Sequence, residues 1–119
     1  MLEVLLVTIG AAVGAPLRFL TAHWVRERLE GTAMGGTLLV NVLGSGLLGL
    51  ILGADLGRPW VALLGVGFCG AYTTFSAFAL ELLDALREQR IRILISTLLL
   101  SLLLGIGAFS LLFWVGGSL

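Results

Sequence analysis

Gly70, Thr73, Thr74, Phe75 and Phe78 lie within Gly67 to Phe78, which reads GFCGAYTTFSAF inside an uncharged run from Pro59 to Leu80. Glycines and hydroxyls at membrane depth are tolerated mainly where they are buried in protein or line a watery path, so this run carries more than an anchor needs. The chemistry open to it is ion handling. Phenyl rings present a positive rim in the ring plane, and residues three apart project from one face if the backbone is helical. The edges of Phe75 and Phe78 could therefore hold an anion, or the rings could simply pack or face lipid. Glycine and competing hydroxyls weaken a helix, which leaves open a break near Thr73 or an intact helix whose threonines bond backwards. Carbonyls freed by a break coordinate small cations, so Gly70 and Thr73 could hold Na+ through backbone oxygens without any carboxylate.

In the preceding apolar run Thr37, Asn41 and Ser45 recur every four residues, and Gly49 continues the series. Helical geometry aligns them on one face. An amide in hydrocarbon must find partners, and the NH2 of Asn41 could donate to a passing anion or bond a neighbouring helix. Thr97, Ser101 and Gly105 repeat the spacing in the last run. This second hydroxyl line could face the first, or each hydroxyl could bond the carbonyl four residues back. Arg18, beside Phe19, could snorkel to headgroups or set a positive potential that concentrates anions at a pore mouth.

The elements that must position these groups are membrane helices. The chain has 119 residues, 59% hydrophobic and 12% charged, with a mean hydropathy of +1.12, which excludes an ordinary soluble domain. Uncharged runs at Val4 to Leu17, Ala33 to Ala54, Pro59 to Leu80 and Ile93 to Leu119 predict an all-α protein of four spans. A span needs roughly 20 apolar residues at about 1.5 Å each. The helices are expected near 2–24, 33–54, 59–88 and 92–117, in one transmembrane domain over 1–119. The first is expected to be retained, because it lacks a basic leader and a small-residue cleavage site. His23 to Thr32 is read as a charged connection, Asp55 to Pro59 as a tight turn, and Glu81 to Arg92 as a charged helical extension.

Gly10 and Gly14, and again Gly49 and Gly53, are four apart and would let helices approach closely in lipid. There is no lysine, and Arg26, Arg28, Arg87, Arg90 and Arg92 fall on one side of an alternating four-span topology, with Arg58 alone opposite. The loop rule then puts both termini outside. Cys69 and His23 are the sole residues of their types, so neither an intrachain disulfide nor a bond-breaking constellation is available, and an enzyme is not expected.

The blocks GAPLRF at Gly14 to Phe19, GTLLVNVLGSGLLG at Gly36 to Gly49, GFCGAYTTFSAF at Gly67 to Phe78 and LLLSLLLG at Leu98 to Gly105 resemble the small bacterial fluoride channels of the Fluc or CrcB family, over essentially the whole chain. The third block is the most specific, and the fourth is generic apolar sequence aligned mainly on Ser101. The resemblance implies a passive fluoride exit route in the cell (inner) membrane that lowers cytoplasmic fluoride. It implies two four-helix subunits packed antiparallel, each with its third helix broken near the centre, and two separate pores. Phe75 and Phe78 match the family's pore phenylalanines, contributed across the dimer. Asn41 matches its pore asparagine, Ser101 its fourth-helix hydroxyl track, Thr37 more weakly a further pore position, and Arg18 a vestibule arginine. Gly70 and Thr73 match backbone ligands of a central structural Na+. The partners so implied are fluoride, lipid and a second copy, with no nucleic acid.

Two departures stand out. Homodimers that insert both ways usually have a weak arginine bias, whereas the five-to-one bias here opens pairing with an oppositely oriented paralogue beside the expected homodimer. Gly105 falls where a further hydroxyl would extend the track. The competing class is a small proton-coupled multidrug exporter, which needs an acidic residue within a span, whereas Glu3, Asp55, Glu81 and Asp84 read as span ends. A non-transporting accessory subunit is the third.

Overall fold

Long apolar runs wind into helices whose backbone groups are satisfied internally, as a bilayer requires, and tolerate interior glycines and Pro16 of the first run. The computed structural model describes residues 1–28 and 36–119. The expected start of the second helix at 33 and residues 29–32 of the expected connection lie outside these residues, while His23 to Arg28, read as connection, continue the first helix past its expected end at 24. Helix α1 (Leu2–Arg28) and α2 (Gly36–Gly53) come first. The third span comprises α3 (Arg58–Trp60), a π-helical stretch Val61–Cys69, α4 (Gly70–Tyr72) and α5 (Ser76–Arg87), and α6 (Ile91–Gly117) is the last. Three of these segments, Leu2–Arg28, Arg58–Arg87 and Ile91–Gly117, are long and apolar enough to cross a membrane. The 18 residues of α2 reach about 27 Å at 1.5 Å each, close to the hydrocarbon thickness.

Most large apolar side chains point outward, and Val40 is the largest side chain fully buried. A soluble domain would invert that arrangement, and the surface finds its match in acyl chains. The chain is a multi-pass membrane protein.

Turn chemistry sets the connections. Asp55 at φ 52° and Gly57 at φ 100° reverse the chain after α2, and Pro59 sits in the first turn of α3, where its missing N–H costs nothing. The charged extension at Glu81 to Arg92 ends within a residue of the expected position, with α5 stopping at Arg87 against 88 and α6 starting at Ile91 against 92. It contains the end of α5 and the start of α6, separated at Gln89, whose φ is 58°. Arg90 N–H donates to Ala85 O at 2.8 Å and Gln89 N–H to Leu86 O at 3.1 Å, the bonding of a Schellman stop. Glutamine occupies the left-handed position that glycine fills without Cβ strain. Gln89→Gly is therefore expected to stabilise the protein by about 0.5–1 kcal/mol, read as a raised thermal midpoint in detergent.

The helices associate as two parallel pairs, α1 with the third span and α2 with α6. The glycines set both seams. A Cβ at Gly10 would fall 2.7 Å from Phe68 N, and one at Gly14 would fall 2.5 Å from Phe68 O. Across the other seam Gly49 abuts the backbone of Phe109, and Gly53 that of Phe113. Backbones this close are how lipid-embedded helices gain dispersion contact without a hydrophobic drive. The pairs 49/109 and 53/113 keep one register along α2 and α6. On the opposite edge Glu3 and Arg58 pair at 3.3 Å, which brings the start of α1 and the start of the third span to the same end of the molecule.

Candidate functional site

The third span leaves the helix at Thr73, whose φ of −83° and ψ of 161° are extended, and re-enters it at Ser76. Interrupting a helix inside a membrane frees backbone donors and acceptors that must be paired at once. Asn41 supplies the pairing. Its Oδ1 accepts from Thr74 N–H at 2.8 Å, and its Nδ2 donates to Thr74 O at 3.0 Å. The amide thus clamps the bared peptide at two points. Thr73 Oγ1 donates back to Cys69 O at 2.9 Å, and Thr74 Oγ1 accepts from Ala77 N–H at 3.3 Å to start α5.

The amide of Asn41 carries two N–H donors, so the clamp leaves one uncommitted among the described residues. It lines a groove of about 440 Å³ between α2, the break and α6, whose wall includes Ser45, Phe75, Phe78 and Ser101. The two rings lie 6.3 Å apart between centroids and are tilted by 53°. Phe75 caps the start of α5 in helical conformation, so it lies beside Phe78 as residues three apart on a helix do. Phe75 is 79% exposed in the single chain. Ser101 contributes a hydroxyl with its oxygen buried and, among the described residues, no hydrogen-bond partner. A buried donor of this kind is costly unless something accepts from it.

The other expected residues have different surroundings. Thr37 is buried and donates to Glu81 Oε2 at 2.5 Å, so it meets a carboxylate of α5 and is not on the groove wall. Thr97, which shares the stripe of Ser101, is likewise buried and off that wall. Arg18 turns inward, with Nη1 3.4 Å from Thr73 O, a long hydrogen bond that tethers α1 to the break. Tyr72 adds a second tether through its hydroxyl, which donates to Thr21 Oγ1 at 3.1 Å, and its ring stacks on Phe68 at 5.5 Å.

The break also frees the carbonyl of Gly70. In an unbroken helix the Thr74 N–H would serve the Gly70 carbonyl; here it serves Asn41, and Gly70 has open space on its Cβ side. Two neutral carbonyls, of Gly70 and Thr73, fit a small hard cation in kind but supply only part of a coordination shell. Among the described residues no cluster of His, Cys, Asp or Glu offers a competing site.

Of the two readings of Asn41, the bond to a neighbouring helix is the one present, though its ending on the backbone of the break was not foreseen, and sequence reasoning missed the Thr37–Glu81 pair. That pair was in principle open to view, because a lone carboxylate near a span and a hydroxyl on a facing stripe are natural partners.

The site can be set beside known proteins. Residues 5–116 match the family described as CrcB-like protein, Camphor Resistance (CrcB). A protein of Bacillus cereus named fluoride-specific ion channel FluC 2 is 39% identical over 106 residues, 89% of this chain and 90% of the relative. One of the same name from Rhodococcus jostii is 46% identical over 89 residues, 75% of this chain and 76% of its own. A third, from Synechococcus sp., is 39% identical over 118 residues, covering 98% of this chain and 81% of the relative. Asn41, the bend it clamps and the four-helix frame around them all fall within the matched length, and the chain belongs to the CrcB family.

Proposed function

We propose that this chain is a fluoride-selective channel that lets fluoride leave the cell passively and so lowers cytoplasmic fluoride. The observation that carries the reading is the groove at the break, where two phenyl rings, an amide N–H and an unpartnered buried hydroxyl converge in otherwise apolar walls. Fluoride is small and strongly hydrated, so a narrow path must replace its water with close donors while avoiding a fixed cation that would trap it. Ring edges, Asn41 and Ser101 are neutral or partial charges and meet that requirement. The relatives named for the same ion support the choice of halide.

The functional unit on this reading is an antiparallel dimer with two pores. The exposure of Phe75 in the single chain and the open space beside Gly70 are surfaces that a second copy would cover. Carbonyls of Gly70 and Thr73 from both subunits would hold a structural Na+, fixing the two breaks against each other. Arg18, bonded to Thr73 O, would lend positive potential near the entrance without entering the path. A homodimer is the simplest assembly, with an oppositely oriented paralogue as the alternative raised by the arginine bias.

Purified protein in liposomes loaded with fluoride or chloride tests this. Fluoride is expected to leave on addition of a potassium ionophore, and chloride to stay. Equal release of both, or of neither, would refute the proposal.

A further inference from the structure

Most tightly packed glycines of the α2–α6 seam are there because backbone or side-chain atoms fill their Cβ position, as at Gly46, Gly49, Gly53 and Gly116. Gly105 is different. A Cβ there would meet one atom within 4 Å, the Oγ of Ser45 at 3.7 Å. Close packing therefore does not account for glycine at this position. What the missing side chain does is leave the Ser45 hydroxyl with space beside it.

The register of the seam gives this space a place along the groove. Pairs 49/109 and 53/113 extend backwards to 45/105 and 41/101, so Asn41 is level with Ser101 and Ser45 is level with Gly105. Each level is one helical turn from the next, about 6 Å. Ser45, Leu48, Ser101 and Leu102 line both the groove at the break and a second one of about 370 Å³ that continues toward Gly105 and Phe109. An ion leaving the level of Asn41 and Ser101 in that direction finds one hydroxyl group from α2 and, opposite it, no side chain.

We infer that Ser45 and Gly105 form a second donor station of the anion path, in which α2 supplies the hydroxyl that α6 lacks at this level and Gly105 supplies the room for the ion. This rests on the channel reading of the same groove. A stripped anion loses far more from a missing donor than a neutral solute does, because hydrogen bonds to charged groups are the stronger class.

The test is fluoride efflux from liposomes for wild type, Ser45→Ala, the double variant Ser45→Ala/Gly105→Ser, and Ser110→Ala on the opposite side of α6, with dimer content checked by size exclusion. Ser45→Ala is expected to slow efflux about tenfold or more. Returning a hydroxyl from the other helix in the double variant is expected to restore most of the rate, and Ser110→Ala to conduct as wild type does. A Ser45→Ala rate equal to wild type, or a double variant as slow as Ser45→Ala, would overturn the station while leaving the channel intact. Absence of fluoride efflux from wild type would overturn both.

Discussion

Asn41→Leu is expected to reduce fluoride efflux to about a hundredth of wild type or less and to lower the stability of the fold by about 2–5 kcal/mol. The reason lies in what the amide holds. Both hydrogen bonds across the break, 2.8 Å and 3.0 Å, end on the same residue, Thr74. Leucine fills the volume but leaves the N–H and C=O of Thr74 unpaired at membrane depth, where no water can replace the lost partner. The span would then gain from closing into a continuous helix, which removes the bend beside Asn41 and returns the Gly70 carbonyl to a helical bond.

Asn41→Asp separates holding the bend from serving the ion. A carboxylate can still accept from Thr74 N–H, but its second oxygen faces Thr74 O, where the amide donated, and it adds negative charge to an anion path. Its stability is expected to fall between wild type and Asn41→Leu, with efflux as low as in Asn41→Leu. Thermal unfolding in detergent and efflux from liposomes read the two quantities separately. Wild-type efflux in Asn41→Leu would show that the clamp is not needed.

Much of the frame was legible because lipid imposes simple rules. Uncharged runs of span length predicted α1, the third span and α6, and the glycine pairs at 10/14 and 49/53 marked both seams, since only small residues allow backbones so close. The break near Thr73 was left open between two outcomes, because the propensities of Gly70, Thr73 and Thr74 weaken a helix without deciding whether it parts. The decision belongs to Asn41, thirty-three positions away, and no local pattern reports a long-range hydrogen bond. The pairing of Thr37 with Glu81 was easier to foresee, since a carboxylate near a span needs a partner, but spacing alone pointed elsewhere. Spacing put Thr37 on the stripe of Asn41, yet one turn nearer the start of α2 that stripe meets α5 and its carboxylate. The expected bounds of 59–88 and 92–117 already part the last two helices where the stop falls, but glutamine rarely takes a positive φ, so nothing in the sequence marks Gln89 as the residue that makes it.

The central claim is that ring edges and neutral donors, with no formal cation, stand in for the water that an anion sheds. Phe75 and Phe78 carry the part of that claim that no hydrogen bond can. Their rings are 6.3 Å apart and tilted, so they do not stack face to face; both line the groove, and the rim is where an aromatic quadrupole is positive. Isoleucine keeps most of the apolar bulk and loses the quadrupole, which separates an electrostatic role from simple filling of space. Each single change to isoleucine is expected to cost about tenfold in flux, equivalent to about 1.4 kcal/mol at the barrier, and the double change at least about a hundredfold. The most direct measurement is the initial rate of fluoride efflux from liposomes holding equal amounts of folded wild-type, Phe75→Ile, Phe78→Ile and doubly substituted protein. Rates falling stepwise to the protein-free leak are predicted; a double variant that conducts as fast as wild type would contradict the account.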